Sequence, residues 1–234
     1  MITKNDFNSE WWGDPVGILR DPAFFRKSAG QQKKLLKEFS WVEFRSTQIQ
    51  TPALWEKLRQ AGFFYADTLM NFRIALDRIT GSADLQALGA RSALQRPFAI
   101  KPQAIAPFKN ERFNLLPGKT PERIARRYAC WSNNLIKEYP GYCLSISWKN
   151  ETQGWFLSRP SAEGLNLTLA MLAKGAGISG MLLYQKALLE YSRLGLRLGW
   201  ASFSVRNTAV LNIYSRLGAH FLCPEYCWFW VNRK

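Results

Sequence analysis

The sequence predicts an α/β (α+β) fold in which helices cover a sheet on both sides. Three observations carry this. Strand-like alternation and helix-like periods interleave along most of the 234 residues. Residues 142–149 and 154–159 alternate like the arms of a hairpin around a polar turn, and the segments that follow it repeat strand, helix, strand, helix, strand. Hydrophobic residues make up 47% and charged residues 21%, enough for a sizeable core and too apolar for disorder.

The elements follow in order. Residues 16–20 form a short strand, 31–39 a basic helix, and Trp41-Val42-Glu43-Phe44-Arg45 alternates as a strand. Thr51-Pro52 opens the next helix, with threonine at the cap and proline in the first turn. Leu54, Trp55, Leu58 and Ala61 give it an apolar face, and Gly62 ends it. Residues 63–76 read as a long aromatic strand. Over 77–97 the pattern weakens around Gly81, Ser82, Gly89 and Pro97, with a short helix at 83–88. A domain boundary falls there, giving an amino-terminal α/β region over 1–97 and a second domain over 98–234. The second opens with a strand over 98–105. Thr120-Pro121-Glu122 then starts a helix that Pro140-Gly141 stops. After the hairpin come a strand at 165–172, a helix at 177–194, a strand at 200–205, a helix at 208–217 and an aromatic strand at 226–231.

Composition excludes several classes of chemistry. Cys130, Cys143, Cys223 and Cys227 form no Cys-x-x-Cys pair, and His220 is the single histidine, so no metal site is expected. One histidine, placed at the start of a strand, also argues against Ser-His-Asp or Cys-His catalysis. No apolar run has membrane-spanning length and the amino terminus lacks a signal-peptide core, so a cytoplasmic protein is expected. The net charge is +15, with 14 basic against 10 acidic residues over 1–97 and 18 against 7 over 98–234. A surface this basic attracts polyanions: a phosphate-rich cofactor, nucleic acid, anionic lipid or an acidic carrier protein.

Two segments carry the chemistry. In the first, a strand through Leu169, Ala170 and Met171 runs into Lys174-Gly175-Ala176-Gly177-Ile178-Ser179-Gly180, where a helix begins. Glycines allow close backbone approach, so successive N–H groups can converge on an anion beside the positive end of the helix dipole. Lys174 adds a full charge. The loop reads either as a pyrophosphate cradle or as a tight connection. It lacks the Gly-Lys-Ser/Thr of a nucleotide-triphosphate loop, and the Gly-x-Gly-x-x-Gly order of a dinucleotide site is incomplete. The second segment is Asn207 to Gly218, an amphipathic helix after a strand. Lys174-x-x-Gly177-x-Ser179, with Asn207, Tyr214, Leu217 and Gly218 following, resembles two signatures of the GNAT superfamily of N-acetyltransferases in their order and separation. Lys174 stands where the family has glutamine or arginine, and Ser179 where it keeps glycine or alanine. Asn207 to Gly218 and Tyr128-x-x-Trp131-x-x-Asn134 are most similar to the members that acetylate nucleotide-linked amino-deoxysugars, the dTDP-fucosamine type.

The resemblance implies a mixed, mostly antiparallel sheet flanked by helices, preceded by a partial GNAT-like α/β region. It implies acetyl-CoA as co-substrate, no metal, and direct attack of a primary amine on the thioester. In that reading a backbone N–H among Leu169, Ala170 and Met171 polarises the carbonyl, and the loop from Lys174 to Gly180 holds the pyrophosphate. Asn207 meets the pantetheine arm, and Tyr214 protonates the departing thiolate. The alternatives are a core role for Tyr214 and a plain helix cap for Asn207. Tyr128, Trp131 and Asn134 share a helical face and either line an acceptor pocket or pack in the core. Glu138, Glu163 and Asp67 are the carboxylates considered for the amine's base. Rival functions are transfer to a protein amine or from an acyl-carrier protein, and a binding-only domain, for example for nucleic acid.

Overall fold

The computed structural model describes residues 1–48, 51–108 and 111–232. The chain forms two compact units, one made of residues 1–70, 115–117 and 223–234 and the other of residues 71–114 and 118–222.

The first unit holds β1 (Ile2–Lys4), α1 (Asp6–Trp12), β2 (Val16–Leu19), α2 (Ala29–Leu36), β3 (Trp41–Ser46) and α3 (Pro52–Gln60). The chain leaves it along β4 (Phe64–Ala75). Local chemistry sets each boundary. Asn5 caps α1, Ser28 and Gln31 form a reciprocal capping box on α2, and Thr51 caps α3 ahead of Pro52. Here β1 pairs antiparallel with β2, β2 parallel with β3, and β3 antiparallel with the carboxy-terminal strand β11 (Glu225–Val231, the label anticipating chain order). Strand β11 also pairs with residues 64–69 of β4. Leu19, Phe24, Phe25, Leu36, Val42, Phe44, Leu58, Phe63 and Trp228 fill this unit's core. Buried Glu225 binds Arg45 and, at 3.1 Å, Arg20.

The second unit contains α4 (Ala83–Gln86), β5 (Leu88–Ser92), α5 (Pro121–Glu138), β6 (Cys143–Trp148), β7 (Glu151–Ser161) and β8 (Gly164–Leu172). It continues with α6 (Gly180–Arg193), β9 (Leu198–Ser204), α7 (Thr208–Arg216) and β10 (His220–Phe221). Its sheet runs from the 71–75 portion of β4 through β9, β8, β7 and β6 to β5, with β10 paired to Phe72 and Arg73 of β4. The β5–β6, β6–β7, β7–β8 and β4–β10 ladders are antiparallel, and β8 with β9 is parallel. The β6–β7 hairpin turns on Lys149 and Asn150, both at positive φ (49° and 65°), the geometry a two-residue hairpin turn requires. Gly154 on β7 permits close packing: a Cβ there would lie 2.3 Å from Leu183 of α6 and 2.4 Å from the Met171 carbonyl. Phe72, Ile74, Leu144, Ile146, Phe156, Leu165, Leu167, Leu183, Leu188 and Tyr191 anchor the core.

Two expectations are corrected. Residues 98–105 form no strand; the segment holds a 3-10 turn at Pro102–Ala104 and one isolated bridge, Ile105 to Ala173. Its apolar residues are anchored singly: Ile100 is buried, and the Asn133 amide pins its backbone by bonds of 2.9 and 3.1 Å. Pro102 removes a ladder donor, which explains why alternation there did not become a strand. Helix α6 starts at Gly180 and not at 177, so residues 174–179 are loop.

Candidate functional site

The site begins where strand pairing ends. Strands β8 and β9 are parallel and pair at only two positions, Leu165–Gly199 and Asn166–Trp200. Beyond these, the carboxy-terminal half of β8 has β7 on one edge and no β9 on the other. The hydrogen-bond phase identifies which residues face the open edge. Ala173 donates to the Gln153 carbonyl of β7 at 2.9 Å, and the register is unbroken from Gly154–Leu172 to Leu157–Leu169. Antiparallel pairs alternate between bonded and non-bonded positions, so Met171 and Leu169 bond β7 while Ala170 and Leu172 turn their N–H and C=O outward. The Leu172 carbonyl accepts from Ala106 at 3.3 Å, as this phase requires. Of the three backbone positions singled out from sequence, Ala170 alone faces the opening. Leu169 and Met171 instead bury their side chains, Met171 meeting Ser132 of α5 at 3.9 Å.

The loop after β8 has a definite set of spent and unspent donors. Lys174 N–H goes to the Ala104 carbonyl at 2.8 Å, Ala176 to Ala173 at 3.1 Å, and Gly177 to the Gln153 side chain at 2.7 Å. Leu182 donates to the Ser179 hydroxyl at 3.3 Å. Among the described residues no acceptor meets the N–H groups of Gly175, Ile178, Ser179, Gly180 and Met181. Four of the five are consecutive and open helix α6. That is a concave set of donors at the positive end of a helix dipole, suited to a pyrophosphate. Lys174 is exposed beside it and makes no ion pair among the described residues.

Three positions of the loop have structural accounts. Ser179 is the N-cap of α6, at φ −75° and ψ 155°, so its hydroxyl serves the helix. Gly177 has an ordinary backbone conformation; a Cβ there would come 3.3 Å from the Trp148 ring, so packing keeps it glycine. Gly175 is the residue at positive φ, 80°.

Helix α7 brings Asn207 and Tyr214. Asn207 is a cap, its side chain accepting from Val210 N–H at 3.2 Å. Tyr214 is buried, its ring 4.0 Å from Phe72, 5.2 Å from Tyr184 and 5.9 Å from Phe203 on the diverging part of β9. Its hydroxyl has no hydrogen-bond partner among the described residues. Desolvation, with the neighbouring Tyr184 and Tyr191 phenols second, holds its pKa well above the ordinary phenol value. The phenol therefore stays protonated, and can give a proton but not take one.

The helix α5 residues separate. Tyr128 is buried, stacks on Phe108 at 3.8 Å and donates its hydroxyl to Glu111. Trp131 is half-buried, with the Arg127 guanidinium 5.5 Å from its ring. Asn134 is exposed and outside this cluster; the neighbouring Asn133 is the amide in use, on Ile100. Of the carboxylates, Asp67 is buried in the first unit, Glu163 is exposed, and Glu138 takes the Tyr139 hydroxyl at 2.6 Å.

Sequence reasoning missed Gln153, Glu111 and Tyr184. Gln153 is buried, and its amide oxygen shapes the loop from a strand 24 residues earlier. No local motif marks such a residue; it follows Glu151 and Thr152 at the start of β7, and only its burial sets it apart.

No family model and no curated protein matches the sequence. Solved structures do match. A GCN5-related N-acetyltransferase from Sphaerobacter thermophilus aligns with 82% of this chain at 15% identity and TM-score 0.53; the chain spans 60% of that protein's length. A GCN5-related N-acetyltransferase from Kribbella flavida aligns with 92% of the chain and 80% of its own, at 12% identity and TM-score 0.50. The glucosamine N-acetyltransferase region of a fungal multi-domain GH3 β-N-acetylglucosaminidase aligns with 98% of the chain and 31% of its own, at 9% identity and TM-score 0.59. At these identities the likeness establishes architecture: the chain has the fold of the GCN5-related N-acetyltransferases, a mixed and mostly antiparallel sheet flanked by helices.

Proposed function

We propose that the chain is an acetyl-CoA-dependent N-acetyltransferase. The observation that carries this is a conjunction within the second unit: an open edge at Ala170, consecutive unspent N–H groups from Ile178 to Met181, and a protonated phenol at Tyr214 with no partner among the described residues. These groups suit an extended molecule with a pyrophosphate at one end and a thioester at the other. Acetyl-CoA supplies the acetyl group as a thioester, passed directly to an amine within a ternary complex. The N–H groups of Ile178 to Met181, with Lys174, bind the pyrophosphate oxygens. The Ala170 N–H faces the carbonyl, where a fixed donor stabilises developing negative charge. The Tyr214 hydroxyl gives the departing sulfur its proton as the C–S bond breaks; the proton the amine loses on forming the amide passes to solvent, from which Tyr214 is reprotonated. Asn207 fixes α7 and thereby the position of Tyr214, acting through the helix and not on the pantetheine. Holding two reactants in line supplies much of the acceleration in such a site, roughly 7–11 kcal/mol in ideal cases.

The acceptor we propose is a primary amine, with an amino sugar linked to a nucleotide as the first class to test. Support comes from the resemblance of Asn207 to Gly218 and from the aromatic cluster of Tyr128 and Trp131. Both residues shape the acceptor side from within; Asn134, exposed and apart, is left out. The basic surface also suits transfer involving an acidic carrier protein, which would show as weak binding of free acetyl-CoA.

Calorimetry of acetyl-CoA binding, comparing the intact chain with Gly177→Glu, tests the reading. The variant sets a carboxylate against Trp148 and beside the cradle, so binding should be lost while the fold persists by circular dichroism. Absence of acetyl-CoA binding to the intact chain would sink the proposal.

A further inference from the structure

A second basic cavity lies wholly within the first unit, on residues the acyl-transfer reading does not use. It has a volume of about 810 Å³ and lies between α2, α3 and the end of β11, with Lys27, Lys33, Lys37 and Lys57 on its walls. There is no carboxylate among its described lining residues, and none of the four lysines makes an ion pair among the described residues. Glu56 on α3 lines a different pocket and accepts from Gln60, a wall residue of this cavity, at 3.0 Å.

The four lysines are solvent-exposed and gathered on one cavity. Lys33 and Lys37 stand four residues apart, so they project from one face of α2, where like charges repel by roughly 0.2–0.5 kcal/mol. Lys57 adds a third charge from α3. Lys27 is tied in by Gln32, a buried side chain whose amide donates to the Lys27 carbonyl at 2.8 Å. The helix carboxy-termini offset part of this charge, since Lys33 lies in the last turn of α2 and Lys57 in that of α3. A macrodipole end carries only about half a charge, so two ends leave most of the four positive charges uncompensated. Trp230 lines the cavity too, half-buried, and gives it an apolar wall. The volume falls within the usual range of small-molecule sites, about 300–1,000 Å³, which favours a compact ligand over a long polyanion laid across a surface.

We infer that this cavity binds a small phosphorylated ligand, a diphosphate or an equivalent pair of phosphate groups, held by Lys33, Lys37 and Lys57. Lysine suits the role as a flexible point charge that follows phosphate oxygens without fixed geometry. The inference is independent of acyl transfer, since every residue it uses belongs to the first unit.

The test is calorimetry of the full chain with inorganic pyrophosphate at fixed ionic strength, using two charge-matched double variants. Lys33→Gln with Lys57→Gln removes two cavity charges. Lys4→Gln with Lys34→Gln removes two exposed charges outside it, one on the same helix. The cavity pair should weaken binding by about tenfold or more, as loss of charge-assisted contacts does, and the other pair by less than about twofold. Equal weakening in both pairs would mean general attraction to a +15 chain and would overturn the inference. Binding unchanged in the cavity pair would place the anion elsewhere, at the α6 loop for instance, and would overturn it as well. So would the lack of any saturable binding. Repeating the titration with a single-stranded oligonucleotide separates a small ligand from nucleic acid: tighter binding of the oligonucleotide, also lost in the cavity pair, would refute the compact-ligand reading.

Discussion

Tyr214→Phe is the sharpest test of the proposed chemistry, because the structure separates its effects on stability and on rate. The substitution removes one hydroxyl and keeps the ring contacts at 4.0 Å to Phe72, 5.2 Å to Tyr184 and 5.9 Å to Phe203. That hydroxyl has no partner to lose among the described residues and is not one of the fully buried unpaired polar atoms, so folding stability should change by less than about 1 kcal/mol. If the hydroxyl protonates the thiolate, the rate should fall by about 10²–10⁴-fold, or roughly 3–5 kcal/mol in the barrier. The proton is needed only as the bond breaks, so kcat should fall with little change in KM. The assay is thiol release from acetyl-CoA over a panel of primary amines, run beside a thermal melt. Because the phenol's pKa is raised, the wild-type profile should show no alkaline loss of activity from this group below about pH 10. A kcat within about threefold of wild type, at unchanged melting temperature, would refute the acid role and leave Tyr214 as a core aromatic.

Other expectations follow from single observations. Tyr184, Tyr191 and Tyr214 all have pKa values raised mainly by burial, so the fold favours their neutral forms. Their contribution is complete below the unfolded value near 10 and declines as pH rises through and above it. Denaturant titrations between pH 8 and 11 should therefore show stability falling towards the alkaline end, deepened by the Cys143 thiol, which burial pushes up to about 11; a flat profile would contradict the buried phenols. Gln153→Ala frees the Gly177 N–H and should weaken acetyl-CoA binding by about tenfold at a stability cost of roughly 1–3 kcal/mol, read by calorimetry and melts. Gly154→Ala sets a Cβ 2.3 Å from Leu183 and 2.4 Å from the Met171 carbonyl, and should cost about 1–3 kcal/mol or more in chemical denaturation.

What the sequence made legible was local. Thr120-Pro121 placed the start of α5, and the polar turn expected over 150–153 located the hairpin, though the turn itself is Lys149–Asn150 and residues 151–153 belong to β7. The glycine-rich loop and the Asn207 helix were legible for the same reason. Long-range pairing was not. Nothing in the sequence from Glu225 to Val231 says that it inserts between β3 and β4 in the first unit, because partner choice depends on faces exposed elsewhere. The 98–105 segment shows the complementary failure: alternating apolar residues are a strand signal only if a neighbouring strand offers an edge, and here the contact is a single bridge. The site divided similarly. Residue types in the loop were readable, but which of Leu169, Ala170 and Met171 faces the opening is a matter of hydrogen-bond phase, fixed by β7. Tyr128 and Trp131 shared a helical face as expected, yet Phe108, Phe113 and Glu111 from the preceding loop decided what that face meets.

The unspent backbone groups imply a further property of the molecule. A parallel ladder of two pairs, followed by strands that separate, leaves donors and acceptors that a regular sheet would satisfy. Solvent serves them at the loop, where Lys174, Gly175, Gly177 and Ser179 are exposed. An extended ligand would serve them better, acting as a short surrogate strand along the Ala170 edge and as an anion at the α6 terminus. Such a ligand binds only the folded chain, so it should raise the melting temperature with its concentration, by an amount equivalent to about 2.7 kcal/mol at one hundred times the dissociation constant. Acetyl-CoA and CoA share the pyrophosphate and the arm, and should shift the melt alike. Dephosphorylated pantetheine has the arm alone and should shift it much less. Equal shifts with pantetheine and CoA would mean that the loop donors contribute nothing, and the cradle reading of Ile178 to Met181 would fall while the fold stood.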